Sequence, residues 1–321
     1  MKKCIAAFVA VAAIAGPAGS YAQEYPVKPI RIILPFAPGA GTDLVARLLA
    51  QRFTAAWGQP ALVDNRAGAG GNIGAELVVR SPPDGHTLLM STASLTVNVT
   101  LYPKLPFDVR RDLMPITQVG SVPIVVTVHP SVPAKNLKEL LALAKTRKEG
   151  LNFGSNGTGT TSHLAGEWLM QASGLKLTHI PFKGASAAMT SMLGGEVDIG
   201  FPGTTSARPL IAANKLRGIA VTTLRRASVL PDLPTVATVF SGFDVDNWFA
   251  LWAPAGTSPA IINKVQEEVV KSLPHPDVKA YMTREGVEPI GSTPAEFAAH
   301  IHHEIEKYAR VIKLSGAKPD A

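Results

Sequence analysis

The sequence has a single cysteine in 321 residues, Cys4, and it lies in the N-terminal segment. That segment, "MKKCIAAFVAVAAIAGPAGSYAQE", has two lysines, an apolar stretch and a small-x-small ending at Ser20-Tyr21-Ala22, which is typical of an export signal. We expect residues 1–22 to be a signal peptide cleaved after Ala22, and the mature chain to be periplasmic. The mature chain then has no cysteine, which excludes disulfides, thiol catalysis and thiolate metal sites.

Long hydrophobic runs are also missing. The N-terminal apolar stretch is shorter than the ~20 residues that a membrane span needs, and no later run reaches that length. A membrane anchor is therefore disfavoured. A lipoprotein is the other alternative, but Cys4 precedes the apolar stretch instead of following it.

Positive charge is only weakly in excess over negative charge. Loss of Lys2 and Lys3 with the leader leaves a net charge of +5, and no block of basic residues occurs. With export, this excludes nucleic acid as a partner and leaves a diffuse field that favours anionic solutes. A mature chain of this length exceeds what one core usually serves, so we expect two lobes.

Motifs for nucleotide binding and hydrolysis are absent. No G-x-x-x-x-G-K-[ST] occurs, and "AGAGGNIGAE" has Ile73 where a dinucleotide fingerprint needs its third glycine. No G-x-S-x-G elbow occurs, and the adjacent Ser162 and His163 do not form a nucleophile–base pair. The sequence predicts no catalytic residue and no cofactor.

One histidine-rich helical segment, "HIHHEIEK" at 300–307, places His300 and Glu304 one turn apart. A metal site is one interpretation of this spacing. The charged, amphipathic context favours a solvated helix face instead, and we predict no metal.

Short apolar runs alternate with longer amphipathic segments along the chain. "IRIILPF" precedes "DLVARLLAQRFTAAW", "PIVVTVHP" precedes "NLKELLALAKTRKEG", and "LNFGS" precedes "SHLAGEWLMQASG". This alternation predicts an α/β protein with largely parallel sheets, whose ligands lie beyond the carboxyl ends of the strands. Ser-Pro and Thr-Pro pairs, in "SPAIINKV" and "TPAEFAAH", predict the first residues of two C-terminal helices.

The central part of the chain contains a full set of strand–helix units and could close as its own lobe. "NWFALWAPAG" then returns to the first lobe. We expect a discontinuous lobe 1 of residues 23–124 plus 247–321, a lobe 2 of residues 125–246, and a hinge of two crossing strands.

Three glycine-rich loops each follow an apolar run and precede a helical pattern: "PFAPGAGTD" at 35–43, "FGSNGTGTTSH" at 153–163 and "PFKGASAA" at 181–188. Glycines let backbone N–H groups converge, and helix N-termini add free donors, so such loops can bind an anion without a cation. For one loop, ordinary turn chemistry is the simpler interpretation; three similar loops favour a site. Asp43 would repel an anion, so we expect it to accept N–H bonds at the helix start and to fix the loop.

The loops belong to a colinear set of signatures: "YPVKPIRIILPFAPGAGTD", "VDNRAGAGGNIGAE", "PPDGHTLLM", "LYPKLPFDVRRDL", "NFGSNGTGTTSHLAGE", "IPFKGASAAMTSMLGGEVD" and "WFALWAPAGT". With them the mature chain resembles the substrate-binding proteins of tripartite tricarboxylate transporters, the Bug family. The resemblance implies a two-lobed periplasmic-binding-protein fold of type II, a sheet flanked by helices in each lobe, and no enzymatic activity. It also implies a monomer that captures a small carboxylate and delivers it to membrane permease subunits.

The resemblance further implies a ligand site built from the loops. Its residues are Phe36, Gly39, Gly41, Thr42, Asp43, Ser94, Ser155, Thr158, Gly159, Thr160, Ser162, Gly184, Gly203 and Thr204. After "GGEVDIGF" the family commonly has an Asp- or Asn-containing turn, whereas this sequence has "PGTTSARP". The sequence therefore does not select the ligand among aliphatic and aromatic mono- and dicarboxylates, amino acids and pyridine carboxylates or amides. An exported enzyme acting on a small carboxylate, or a solute sensor for two-component signalling, are the alternative functions.

Overall fold

The computed structural model describes residues 25–318 except 37, 40, 148 and 149. The expected leader at 1–22 and its cleavage point lie outside the described residues. Within the described ranges, none of the helices combines the length and the apolarity of a membrane span.

Eleven strands and eleven α-helices follow one another along the described chain. The strands are β1 (Ile30–Leu34), β2 (Ala61–Asn65), β3 (Thr87–Thr92), β4 (Leu113–Pro123), β5 (Val125–Val128), β6 (Leu151–Ser155), β7 (Leu177–Pro181), β8 (Ile199–Gly200), β9 (Arg217–Val221), β10 (Asp246–Pro254) and β11 (Glu288–Pro289). The helices are α1 (Gly41–Trp57), α2 (Asn72–Val79), α3 (Ser94–Leu101), α4 (Val109–Asp112), α5 (Leu137–Thr146), α6 (Thr161–Ser173), α7 (Ala185–Leu193), α8 (Thr204–Ala212), α9 (Pro259–Ser272), α10 (Pro276–Glu285) and α11 (Pro294–Ser315).

The strands form two sheets, in the orders β11-β4-β10-β3-β1-β2 and β7-β6-β8-β5-β9. Parallel pairing joins β1 to β2 and β3, and β6 to β7 and β8. The expectation of largely parallel sheets is wrong for the rest, because β10 pairs antiparallel with β3 and β4, and β5 pairs antiparallel with β8 and β9. The chain enters the second sheet through β5 and re-enters the first sheet through β10. Both strands run opposite to the parallel strands of the sheet that they join.

The chain crosses from one sheet to the other twice. Ile124 alone separates β4 of the first sheet from β5 of the second. On the return, the amide of Val245 still donates to Thr222 in the second lobe, 3.0 Å away, and Asp246 opens β10 opposite Pro123 of β4. The expected hinge of two crossing strands is thus present, and the α/β two-lobed fold is confirmed.

The first sheet is covered by helices on both faces, which explains why β1 is buried along most of its length. On one face of the first sheet, α1 packs Val45, Leu49 and Phe53 onto β1. On the other face Trp252 packs against Phe297 of α11. A separate cluster around Phe153 forms the core of the second sheet. The predicted caps of the last helices are confirmed: Ser258 caps α9, and Thr293 forms a capping box with Glu296 at the start of α11.

Helix α11 packs against α3 and β4 of the first lobe and against α6 of the second. The prediction that "HIHHEIEK" is a solvated face is wrong for two of its residues. Glu304 and Lys307 are buried and paired with each other, and Trp248 Nε1 donates to Glu304 Oε2 at 2.9 Å. Because Glu304 already has these partners, it is not free to bind a metal with His300.

Candidate functional site

The first candidate loop joins the end of β1 to α1, which begins at Gly41, two residues before the predicted start. Gly39 has a φ of +88°, a left-handed conformation that favours glycine. Its amide donates to Oδ2 of Asp43 at 3.1 Å. Asp43 therefore has the expected contact, since its carboxylate ties the loop to the first turn of the helix.

The negative charge of Asp43 is compensated by Arg47, one turn further along α1. Arg47 donates to both carboxylate oxygens, at 2.9 and 3.1 Å, and Asn65 Nδ2 donates to Oδ1 at 3.0 Å. Burial acts to raise the pKa of Asp43, but the bonds from Arg47, Gly39 and Asn65 outweigh it and the pKa lies below its ordinary value. Asp43 stays ionised and paired, which reduces its repulsion of a nearby anion.

Open space adjoins this loop at Gly41, where an added Cβ would meet no atom within 4 Å. The next residue, Thr42, is half-buried, and its hydroxyl bonds to no other described residue. The first-turn amides of a helix have no partner inside the helix. Beside them, Phe36 packs partly against the core, and its carbonyl accepts from Asn65 at 3.0 Å. Among the described residues, the hydroxyl of Thr42 therefore lies without a hydrogen-bond partner next to this open space.

In the second loop, between β6 and α6, three of the predicted hydroxyls are used to build the loop. Thr160 Oγ1 donates to the carbonyl of Gly157 at 2.6 Å. Ser155 Oγ contacts the same carbonyl, and Ser162 Oγ accepts the amide of Asn156 at 2.9 Å. Ser155 and Ser162 are almost fully buried. These side chains determine the shape of the loop.

The amides of this loop are mostly engaged as well. Gly157 donates to Ser155 Oγ at 3.2 Å, and Gly159 donates to Nδ1 of His163 at 3.1 Å. Thr158, by contrast, is half-buried, and its hydroxyl has no hydrogen bond to another described residue. Among the predicted residues of this loop, Thr158 thus has the side chain that is available to a ligand.

The second loop lies against the first lobe. Gly159 packs on α3, where an added Cβ would be 2.3 Å from Leu101 Cδ2 and 3.8 Å from Asn98 Oδ1. At the other end of α3, Ser94 is buried, and within the described ranges its hydroxyl has no partner. The structure therefore brings the second loop and α3 together between the lobes.

The remaining predicted residues begin α7 and α8. Gly184 has a φ of +99°, and its amide donates to the carbonyl of Asn156 at 3.2 Å, which joins the third loop to the second. Gly203 precedes α8 without a capping side chain. Thr204 is fully buried, and its hydroxyl donates to the carbonyl of Gly286 at 3.2 Å, which joins α8 to the end of α10 across the lobes.

A histidine cluster behind the second loop was not found from the sequence. His163 and His179 stack with ring centroids 4.0 Å apart and an interplanar angle of 16°, and His163 Nε2 lies 3.3 Å from Glu167 Oε1. These three residues have the composition of a metal site. Ring nitrogens bind metals in the plane of the ring, so two stacked rings do not point to one ion. His163 also holds the amide of Gly159, and His179 Nε2 contacts Ser155 Oγ at 2.7 Å. The cluster supports the loop, and no spacing in the sequence connects His179 to it.

The fold has two sheets flanked by helices, the chain passes between them twice, and glycine-rich loops lie at the strand ends. These features define the class of periplasmic binding proteins. A family model described as "Tripartite tricarboxylate transporter family receptor" matches residues 45–317. The chain belongs to this family and is a solute-binding receptor, not an enzyme.

Relatives support this assignment over nearly the whole chain. Protein BugT of Bordetella pertussis is 36% identical over 317 residues, which cover 98% of this chain and 97% of BugT. The structure of periplasmic binding protein BugD is 33% identical, with a TM-score of 0.80, and the match covers 92% of this chain and all of BugD. An R. palustris protein solved with adipate is 30% identical, with a TM-score of 0.84 and the same coverage.

Proposed function

We propose that the protein captures a small carboxylate between lobe 1 (23–124 plus 247–321) and lobe 2 (125–246). It acts in the periplasm as a monomer, after loss of residues 1–22, and delivers the ligand to the permease subunits of a tripartite tricarboxylate-type transporter. A relative solved with adipate supports a carboxylate as the ligand class.

The observation that carries this proposal is the open space at Gly41. It adjoins the first turn of α1 and the hydroxyl of Thr42, which bonds to no other described residue, while Arg47 compensates the charge of Asp43. Backbone N–H groups and a hydroxyl are suitable donors for a carboxylate, and bonds to charged groups are the stronger ones.

The other predicted residues divide into two roles. Thr158 and Ser94 offer hydroxyls to the ligand from the two sides of the cleft. Ser155, Gly159, Thr160 and Ser162 hold the second loop in shape. Phe36 and Gly39 support the first loop, and Gly184, Gly203 and Thr204 border the distal part of the ligand.

A thermal-shift screen of the protein lacking residues 1–22, against a library of mono- and dicarboxylates, tests the proposal. A ligand at one hundred times its dissociation constant adds about 2.7 kcal/mol of stability. Recovery of the bound compound unchanged, at one equivalent per chain, supports a receptor. Conversion of the compound would support the exported enzyme, and the absence of any stabilising carboxylate would reject the proposed ligand class.

A further inference from the structure

A cavity of about 50 Å³, lined mostly by apolar side chains, lies at the carboxyl ends of β6 and β8, beneath the first turns of α7 and α8. Its walls include Ala188, Met189 and Met192 of α7, together with Val197 and Phe201. Met192 is fixed, because its sulfur contacts Thr127 Oγ1 at 3.3 Å and closes on the Cα of Gly200, where an added Cβ would be only 2.4 Å away. Met189 is half-buried at the edge of the cavity.

The cavity borders the part of the proposed ligand site that belongs to the second lobe. Asn156 of the second loop and Gly203 before α8 both line it. Gly203 also lies against Val122 of β4, where the chain is about to cross between the lobes. A ligand held by the loops of the site would therefore extend its distal end toward this cavity.

The lining contains no charged side chain among the described residues. Its polar side chains are Asn156 and Ser206, and Ser206 Oγ already donates to the carbonyl of Gly203 at 3.2 Å. An ionised group buried among methionine, valine and phenylalanine would lose its hydration without gaining a cation. An apolar group in the same place gains free energy by leaving water.

The other polar groups of the described lining residues belong to the backbone. Gly184 and Gly203 precede α7 and α8, and neither helix has a capping side chain. Their first-turn amides could donate to a neutral oxygen or, in a competing arrangement, to a second carboxylate. The ligand series below separates these two cases.

We infer that this receptor selects a monocarboxylate whose distal end is uncharged and apolar, and that Met189 and Met192 form the seat for that end. The inference rests on the proposed function, since the loops must hold the one carboxylate. A water-sized group needs roughly 10–15 Å³ of such space, so the cavity accepts about three to five non-hydrogen atoms of the distal end.

Calorimetry with hexanoate and adipate tests the inference, because the two acids have the same length and differ in the charge of the distal end. We expect hexanoate to bind the wild-type protein at least tenfold more tightly than adipate. Met189→Arg should reverse this order, since it removes apolar wall and adds a cation at the cavity edge. Thr190→Arg is the matched control, because Thr190 is exposed on the same helix and does not line the cavity; it should leave the order unchanged.

The outcomes distinguish the two proposals. If adipate binds as tightly as hexanoate or more tightly, carboxylate capture stands and the apolar seat is overturned. If Met189→Arg, folded by circular dichroism, retains the wild-type order of the two acids, the seat is overturned as well. If neither these two acids nor any other carboxylate binds the wild-type protein, the proposed function and the inference both fail.

Discussion

Gly159 of the second loop lies so close to Leu101 of α3 that a Cβ on Gly159 would be 2.3 Å from Leu101 Cδ2. Its φ of +79° adds backbone strain for any other residue. We expect Gly159→Ala to destabilise the protein by about 1–3 kcal/mol, measured by urea unfolding, because either the loop or α3 must move.

A double-mutant cycle separates the clash from the strain. Leu101→Ala removes the atom that would clash, so the double variant should be more stable than the two single effects predict, by about 1 kcal/mol. Effects that add within ~0.5 kcal/mol would show that strain alone accounts for the loss.

The first loop is tested by Gly41→Val. The added side chain enters open space, so the fold should persist, but it occupies the volume proposed for the carboxylate and restricts the backbone. Loss of two charge-assisted hydrogen bonds, at roughly 1.5–3 kcal/mol each, would weaken binding more than a hundredfold in calorimetry.

Lys183→Ala is the companion variant, since Lys183 is an exposed cation within the third loop. It should cost much less, because a long-range field is screened within about 10 Å at 0.1 M salt. Lost binding in Lys183→Ala with retained binding in Gly41→Val would replace amide capture by a direct ion pair.

Ligand should draw the lobes together, because only a closed cleft lets both loops contact one small molecule. Small-angle scattering of the protein with and without a confirmed carboxylate should give a smaller radius of gyration when ligand is bound. Gly41→Val, treated identically, should show no change. An equal decrease in that variant would mean that compaction does not depend on capture by the first loop.

The ion pair of Lys307 and Glu304 is expected to matter for stability. Lys307→Met leaves the carboxylate of Glu304 buried without its cation and should cost about 3–5 kcal/mol in urea unfolding. Lys271→Met breaks an exposed pair with Glu267 and should stay within ~0.5 kcal/mol. Similar losses in both variants would mean that the buried pair has no special role.

Asp246, at the return crossing, makes stability depend on pH. Burial raises the pKa of Asp246 to about 7; Lys307 opposes the rise, whereas Glu304 and Asp244 add to it. The folded state then holds a proton that the unfolded state, with a pKa near 3.9, has released, so this residue lowers stability as pH rises from about 4 to about 7. The free energy of unfolding of Asp246→Asn, relative to that of wild type, should increase between pH 5 and pH 8 by on the order of 2 kcal/mol in urea unfolding. A difference that does not change with pH would contradict the raised pKa.

Local patterns were enough to predict much of the fold. The apolar run before "PGAG" and the amphipathic run after Asp43 gave a strand and a helix, because side-chain period and glycine placement depend on neighbours in the chain. The caps at Ser258 and Thr293 were predictable for the same reason.

What the sequence could not provide depends on distant contacts. Nothing near Ser162 indicates that its hydroxyl would turn inward to Asn156 while that of Thr158 bonds to no other described residue. Likewise, the polar segment of α11 was predicted to be solvated because the partner of Glu304, the indole of Trp248, lies 56 positions away. The loops could be found from the sequence, whereas the side chains free to bind within them could not.

The packing of α11 against both lobes affects how they can turn. Its contacts to α3 and α6 include Leu101, Leu164, Tyr308, Val311 and Ile312, which form one apolar cluster. Apolar contacts of this kind have no preferred direction, so α6 can shift against α11 over a small angle with little change in their free energy. Helix α11 would then stay packed against both lobes while they rotate about the two crossing strands. The energy barrier to this rotation would arise mainly at polar contacts such as Thr204 to Gly286.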